Sequence, residues 1–99
     1  MHMLDLWTGY SMKSFWYNEE RKNVCGIRIR ELRKLKNLSQ AQLAIKAQLE
    51  GYEFITETAI VKLELGTRFI ADYEVPIFAK LLETTTDYLL KVSDEPYNQ

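Results

Sequence analysis

From residue 24 to residue 90 the apolar positions of this chain recur three and four apart, the spacing that gives a helix one buried side. Ile29 and Leu32, with Cys25 one turn earlier, set such a stripe in a helix predicted over about Val24–Lys36, with arginines and lysines covering the rest of its surface. Asn37 suits a left-handed stop. A second helix opens on a capping box: the Ser39 hydroxyl accepts the Gln42 backbone N–H, and the Gln42 side chain reaches back to the Ser39 N–H. Its stripe, Leu43, Ala44 and Ala47, is narrow and mostly small, so another helix can cross closely, and Gly51 supplies its stop. Thr56 caps a third helix, in which Glu57 sits in the first turn, Ile60 and Leu63 face inward, and Gly66 closes the end. Val75, Phe78, Ala79 and Leu82 mark a fourth helix near Asp72–Leu82, where Pro76 is tolerable only in the first turn. Thr85 or Thr86 caps a last helix running through Leu90. The expectation is an all-α fold of five helices with no strand.

Three regions follow from the same pattern. Residues 21–92 form the helical domain. Residues 1–20 are a leader rich in aromatics (Trp7, Tyr10, Phe15, Trp16, Tyr17) and methionines (Met1, Met3, Met12), without clean periodicity of either kind. Such a leader is either an arm packing on the domain or a partner subunit, or an extension irrelevant to function, with Met12 or a later residue beginning the natural domain. Residues 93–99, with Pro96, read as a frayed tail.

Composition excludes more than it assigns. The chain has 99 residues, 46% hydrophobic and 27% charged, which describes one ordinary globular domain with a modest core. No apolar run approaches the roughly 20 residues that span a bilayer, and a start containing Asp5 without a basic lead or long apolar block shows no secretory signal. Cys25 is the single cysteine, so no internal disulfide forms, which suits a reducing cytoplasm. With no histidine near it, Cys25 reads as a small core residue, not a nucleophile, and His2 as a terminal residue, not a ligand. No Gly-rich phosphate loop, metal-spaced Cys/His set or paired carboxylates point to an enzyme, a cofactor or a metal.

Charge changes the picture through its distribution. The net charge is −1, yet residues 21–46 carry Arg21, Lys22, Arg28, Arg30, Arg33, Lys34, Lys36 and Lys46 against the one acid Glu31, a local +7 that leaves −8 elsewhere. Because screening limits an acidic region to about 8–10 Å, a local basic face can still hold phosphates. The alternative is a solvated helix surface.

Two short capped helices joined by a Gly-containing connection, the second with a polar leading edge, describe a helix-turn-helix whose leading edge is free to enter a DNA groove. Here the residues Ile-Arg-Ile-Arg-Glu-Leu-Arg-Lys (27–34), Leu-Ser-Gln-Ala-Gln-Leu-Ala (38–44), Ile60-x-x-Leu63-Glu64-x-Gly66, Ala79-Lys80-Leu81-Leu82 and Asp87-Tyr88-Leu89-Leu90 resemble, in order, the phage-repressor/Cro-like (XRE-like) helix-turn-helix family over residues 24–90. The link from Gln48 to Ile55 is longer than the usual turn and looks like the branch with an insertion there.

The resemblance implies a five-helix bundle of the lambda-repressor-like type, commonly a homodimer, that binds double-stranded DNA as a transcriptional repressor. It places Gln40 at a phosphate, through its side chain and the helix N-terminus. It sets Thr56, Glu57, Thr58, Val61 and Lys62 on the groove-facing edge of the helix from about Thr56 to Leu65, and Arg68 in a loop suited to the backbone. The chain departs from the pattern at Glu57, where Arg or Gln is common, and at Leu65, where a polar residue is. Glu57 either accepts from a cytosine N4 or serves only the helix dipole; Lys62 reaches guanine or a phosphate. Tyr88, Leu89 and Leu90 are the candidate dimer surface by analogy, or simply close the core. Glu57, Leu65, the acidity and the aromatic leader also fit a second class: a protein-interaction or antitoxin-like module on the same fold with little DNA affinity.

Overall fold

The computed structural model describes residues 15–97, in which the chain forms α1 (Cys25–Leu35), α2 (Gln40–Leu49), α3 (Glu57–Leu65), α4 (Glu74–Leu81) and α5 (Thr86–Leu89), with no strand among the described residues. The all-α five-helix bundle expected from the apolar spacing is the architecture found. The boundaries have local causes. Ser39 Oγ accepts the Gln42 N–H at 3.0 Å while Gln42 Oε1 accepts the Ser39 N–H at 2.7 Å, closing both halves of the capping box. Thr56 Oγ1 accepts the Ala59 N–H at 3.1 Å and Thr85 Oγ1 the Tyr88 N–H at 3.0 Å. Asn37 (φ 57°) ends the first turn-out, and Gly66 (φ 83°) closes α3 in the left-handed conformation that glycine adopts without strain.

Two helices are shorter than expected. α1 begins at Cys25 because Val24 offers no side-chain cap; Asn23 Oδ1 instead accepts the Gly26 N–H at 2.7 Å. α4 begins at Glu74, two residues after Asp72, and the Glu74 carboxylate accepts the Ala71 N–H at 2.8 Å across the turn. Pro76 is then the third residue of α4, where a backbone N–H has no acceptor inside the helix, so its absence costs little.

Every apolar stripe expected to face inward is buried: Cys25, Ile29 and Leu32 of α1, Leu43, Ala44 and Ala47 of α2, Ile60 and Leu63 of α3, Val75, Phe78, Ala79 of α4 and Leu82 just beyond it. Leu81, Leu89 and Ile55 join them. At ~1.5–3 kcal/mol for each large side chain removed from water, this shared core is what makes five short helices one unit. In the last helix Leu89 closes the core, Tyr88 is half-buried and Leu90 stays at the surface. Ile55 pins the long connection, residues 50–56, whose Tyr52 and Phe54 rings meet edge-on at 6.4 Å; Phe54 then meets Tyr73 at 6.1 Å.

α1 lies against α3 and α5, and α2 against α3 and α4. Thus α3 is held on two sides, by the helices before it. The tail returns to the bundle: Arg28 donates to the Ser93 carbonyl at 2.6 Å and the Asp94 carboxylate at 2.7 Å, and the Thr84 hydroxyl donates to the Pro96 carbonyl. Most of the aromatic leader, with His2, Met12 and the residues before Phe15, lies outside the described residues, as do the last two residues of the tail. No helix among the described residues is long and apolar enough to cross a membrane.

Candidate nucleic-acid interface

The third helix divides lengthwise. At 100° per residue, Ile60, Leu63 and Glu64 fall on one side and Glu57, Thr58, Val61, Lys62 and Leu65 fall on an arc of about 140° on the other. The structure buries the first set and leaves the second at the surface, with Val61 half-buried.

The buried side is tied by charge as well as packing. Arg33 of α1 meets Glu64 in a two-pronged pair, Nε to Oε2 at 2.7 Å and Nη2 to Oε1 at 2.8 Å, with side chains only 9% and 3% exposed. The Arg33 guanidinium also donates to the Leu38 carbonyl at 2.7 Å, and Gln40 Nε2 to Glu64 Oε1 at 3.2 Å. One carboxylate therefore takes hydrogen bonds from both supporting helices, and its hydrogen bonds and charge hold the Arg33 guanidinium above its ordinary range against the opposing effect of burial. At the far end, Arg21 donates to the Leu63 carbonyl at 3.0 Å and the Glu64 carbonyl at 3.1 Å, both in the last turn, where carbonyls lack the regular partner four residues on. Asn23 Nδ2 adds bonds to the carbonyls of Leu63 at 3.0 Å and Arg68 at 2.8 Å. Gly26 makes this closeness possible: a Cβ there would stand 1.9 Å from the Leu63 carbonyl oxygen.

The exposed side is bordered by two hollows. One, of about 480 Å³, is lined by Thr56, Thr58, Ala59 and Lys62 of the α3 edge with Lys22, Thr67, Arg68 and Phe69. The other, of about 310 Å³, is lined by Arg30, Gln40, Val61, Glu64 and Leu65. The fold thus gathers Thr56, Thr58, Lys62 and Arg68 in one place and Gln40 and Val61 in the other, while Glu57 lines neither, at the exposed start of the helix.

These positions differ in how committed they are. The Lys62 ammonium and the Arg30 guanidinium have no partner among the described residues. Arg68 is held by Glu74 through bonds of 3.1 and 2.9 Å, and Lys22 lies between the Trp16 and Phe69 rings at 5.2 and 5.4 Å. Thr56 gives its oxygen to its own helix and keeps its hydroxyl proton to donate. Gln40 points its amide at Glu64, so a ligand at α2 would meet its backbone N–H first.

Most of the basic run of residues 21–46 is engaged within the bundle. Arg21 and Arg33 serve α3. Arg28 donates to the Tyr88 carbonyl at 2.7 Å and to the tail, Lys36 pairs with Glu83 at 3.2 Å, and Lys46 donates to the Leu81 carbonyl at 2.6 Å. Only Lys22, Arg30 and Lys34 of the eight lack such an ion pair or carbonyl among the described residues.

Arg21, Asn23, Gly26 and the Arg33–Glu64 pair escaped the sequence reading. A signal existed for the pair: Arg33 stands four after the core residue Ile29, and Glu64 four after Ile60, so opposite charges occupy core-facing positions of two helices. Nothing comparable marks Arg21, whose partners are backbone atoms far along the chain. Burial pushes the Cys25 thiol up to about 11, consistent with a core residue. Comparison with family models, with curated proteins and with solved structures gives no match.

Proposed function

We propose that this chain is a sequence-specific DNA-binding transcriptional regulator, a repressor acting as a homodimer in the cytoplasm, which places the edge of α3 in the major groove of double-stranded DNA. It carries no catalytic step and needs no cofactor. The observation that supports this most is the division of α3. Its inner side is locked to α1 and α2, while its outer edge, from the Thr56 cap to Lys62, lies open beside Lys22, Arg68 and Arg30. A helix held in fixed rotation with a free edge between cations suits a duplex, whose phosphates position the protein and whose base edges are read between them. Lys62, Arg68 and the Gln40 backbone N–H take the DNA backbone, and Glu57, Thr58 and Val61 face the bases.

Selection of bound duplexes from a random pool by the full chain tests the reading. A palindromic motif is expected, with affinity falling as salt rises by a log–log slope of about −0.9 per phosphate neutralised. An affinity that ignores salt, or a pool without enrichment, overturns it.

A second reading has its own support. Val61 and Leu65 make the same edge partly apolar, and Phe54 and Tyr73 are exposed beside the long connection. Both features suit a protein-interaction or antitoxin-like module. Under that reading the pool yields no motif, while the chain forms a stable complex with a protein partner.

A further inference from the structure

The middle of the α3 edge carries methyl groups where a base-reading helix usually carries long polar side chains. Thr58, Val61 and Leu65 occupy the centre of the exposed arc, between Glu57 on one border and Lys62 on the other. Leu65 is 65% exposed, a large apolar side chain left in water at the end of a helix whose opposite side is fully packed. Cations stand on both flanks of these methyls. Lys22 and Lys62 line the hollow shared with Thr58, together with Arg68, whose charge Glu74 already meets, and Arg30 lines the one shared with Val61 and Leu65. No carboxylate lines the first hollow, and the one that lines the second, Glu64, is neutralised by Arg33.

Cations beside a methyl strip in both hollows, with the one exposed carboxylate of the arc, Glu57, at the very start of the helix, match one ligand surface. The major groove of B-DNA is about 12 Å wide, walled on either side by phosphates and floored by base edges. On that floor the bases offer hydrogen-bond donors and acceptors except at one group, the C5 methyl of thymine. Polar base edges gain nothing from meeting Val61 or Leu65, and lose their water. We infer that α3 selects its DNA site by apolar contact of Thr58, Val61 and Leu65 with thymine C5 methyls, the flanking cations holding the phosphates on either side. This rests on the DNA-binding reading and adds to it the chemistry of the base contact. It also gives a purpose to Leu65, a position where the resembled family carries a polar residue.

The probe is the duplex that the full chain enriches from a random pool, synthesised with thymine or with uracil at each A·T pair, one at a time. Uracil keeps the pairing and removes only the methyl. Burying one such group is worth roughly fourfold in affinity, so each contacted thymine weakens binding about fourfold when replaced, and flanking thymines do not. Leu65→Ala and Val61→Ala, at surface positions whose melting temperature reports folding, abolish the uracil effect at the positions they contact; the double cycle of side chain and methyl isolates the contact. Uracil tolerated at every position, or an effect that survives both substitutions, overturns the inference while leaving the chain a DNA binder. A pool without enrichment overturns the DNA reading itself and this inference with it.

Discussion

Along the inner side of α3, Glu64 takes hydrogen bonds from Arg33 and Gln40, Arg21 and Asn23 cover the terminal carbonyls, and Ile60 and Leu63 are wholly buried. No buried side-chain polar atom among the described residues lacks a partner. Along the outer side, across the same helix, Lys62 has no partner among the described residues and Leu65 no packing to match its size. The two sides share a backbone and little else. A helix in water can roll about its own axis, since apolar packing alone is non-directional; hydrogen bonds from two neighbouring helices to one carboxylate are directional and prevent it. The inner side therefore decides which residues the outer side presents.

The inner side is where substitutions reach furthest. Glu64→Gln leaves the Arg33 charge buried without its counter-ion, and the expected loss is about 3–5 kcal/mol of unfolding free energy by chemical denaturation. Set against the 5–15 kcal/mol typical of domains this size, that approaches unfolding. A loss below ~1 kcal/mol would mean that α3 is not held by this pair. Gly26→Ala comes next: its Cβ meets the Leu63 backbone first and the Arg21 side chain after it, so α1 and α3 must separate, at about 3 kcal/mol, the upper end for overpacking. Here the expected signature is lost DNA affinity in protein that still melts cooperatively, because the edge is displaced rather than altered.

The Cys25 thiol reports on the same side by pH. Its value rises from an ordinary 9.0 to about 11 on burial. A raised value favours the protonated thiol in the folded state, so this stability is fully present below pH 9. It is lost as pH climbs from about 9 to 11 and the unfolded chain releases its proton first. Unfolding free energy should fall across that window, by an amount on the order of 3 kcal/mol that Cys25→Ala does not show. A thiol reagent that modifies native protein at pH 8 would contradict it.

The outer side should respond least in stability. Lys62→Ala is expected to change unfolding free energy by no more than about 0.5 kcal/mol, as an exposed position without a partner does. Its DNA affinity either falls uniformly over sequences, with the salt slope reduced by about 1, or relaxes one base position by ~1–3 kcal/mol. A large loss of stability with unchanged binding would reverse the roles given to the two sides.

The helices were legible because their signals are local. Ser39 with Gln42, Thr56 with Ala59, and Asn37 and Gly66 act within one turn of chain, and the apolar stripes repeat at a period that any helix imposes. The errors sat where a neighbour in space overrode a neighbour in sequence. α4 starts late because the Glu74 carboxylate is drawn to Ala71 and Arg68. The basic run of α1 looked like a surface because charge is counted along the chain. Arg21, just before α1, and Arg28 within it are long enough to cross to carbonyls of α3 and α5, which only the packed bundle brings within reach.

By itself the sequence determined five helices, the residues each turns inward and the polar edge of α3, since periodicity, capping and dihedral preference act over four residues or fewer. Tertiary structure alone decided that Arg33 meets Glu64, that Gly26 lets α1 lie on the Leu63 carbonyl, and that Lys22 and Arg30, with no ion pair among the described residues, stand beside that edge. Those outcomes turn on distances between segments some 30 to 60 residues apart, and no local propensity carries information about which distant group will be within hydrogen-bonding range.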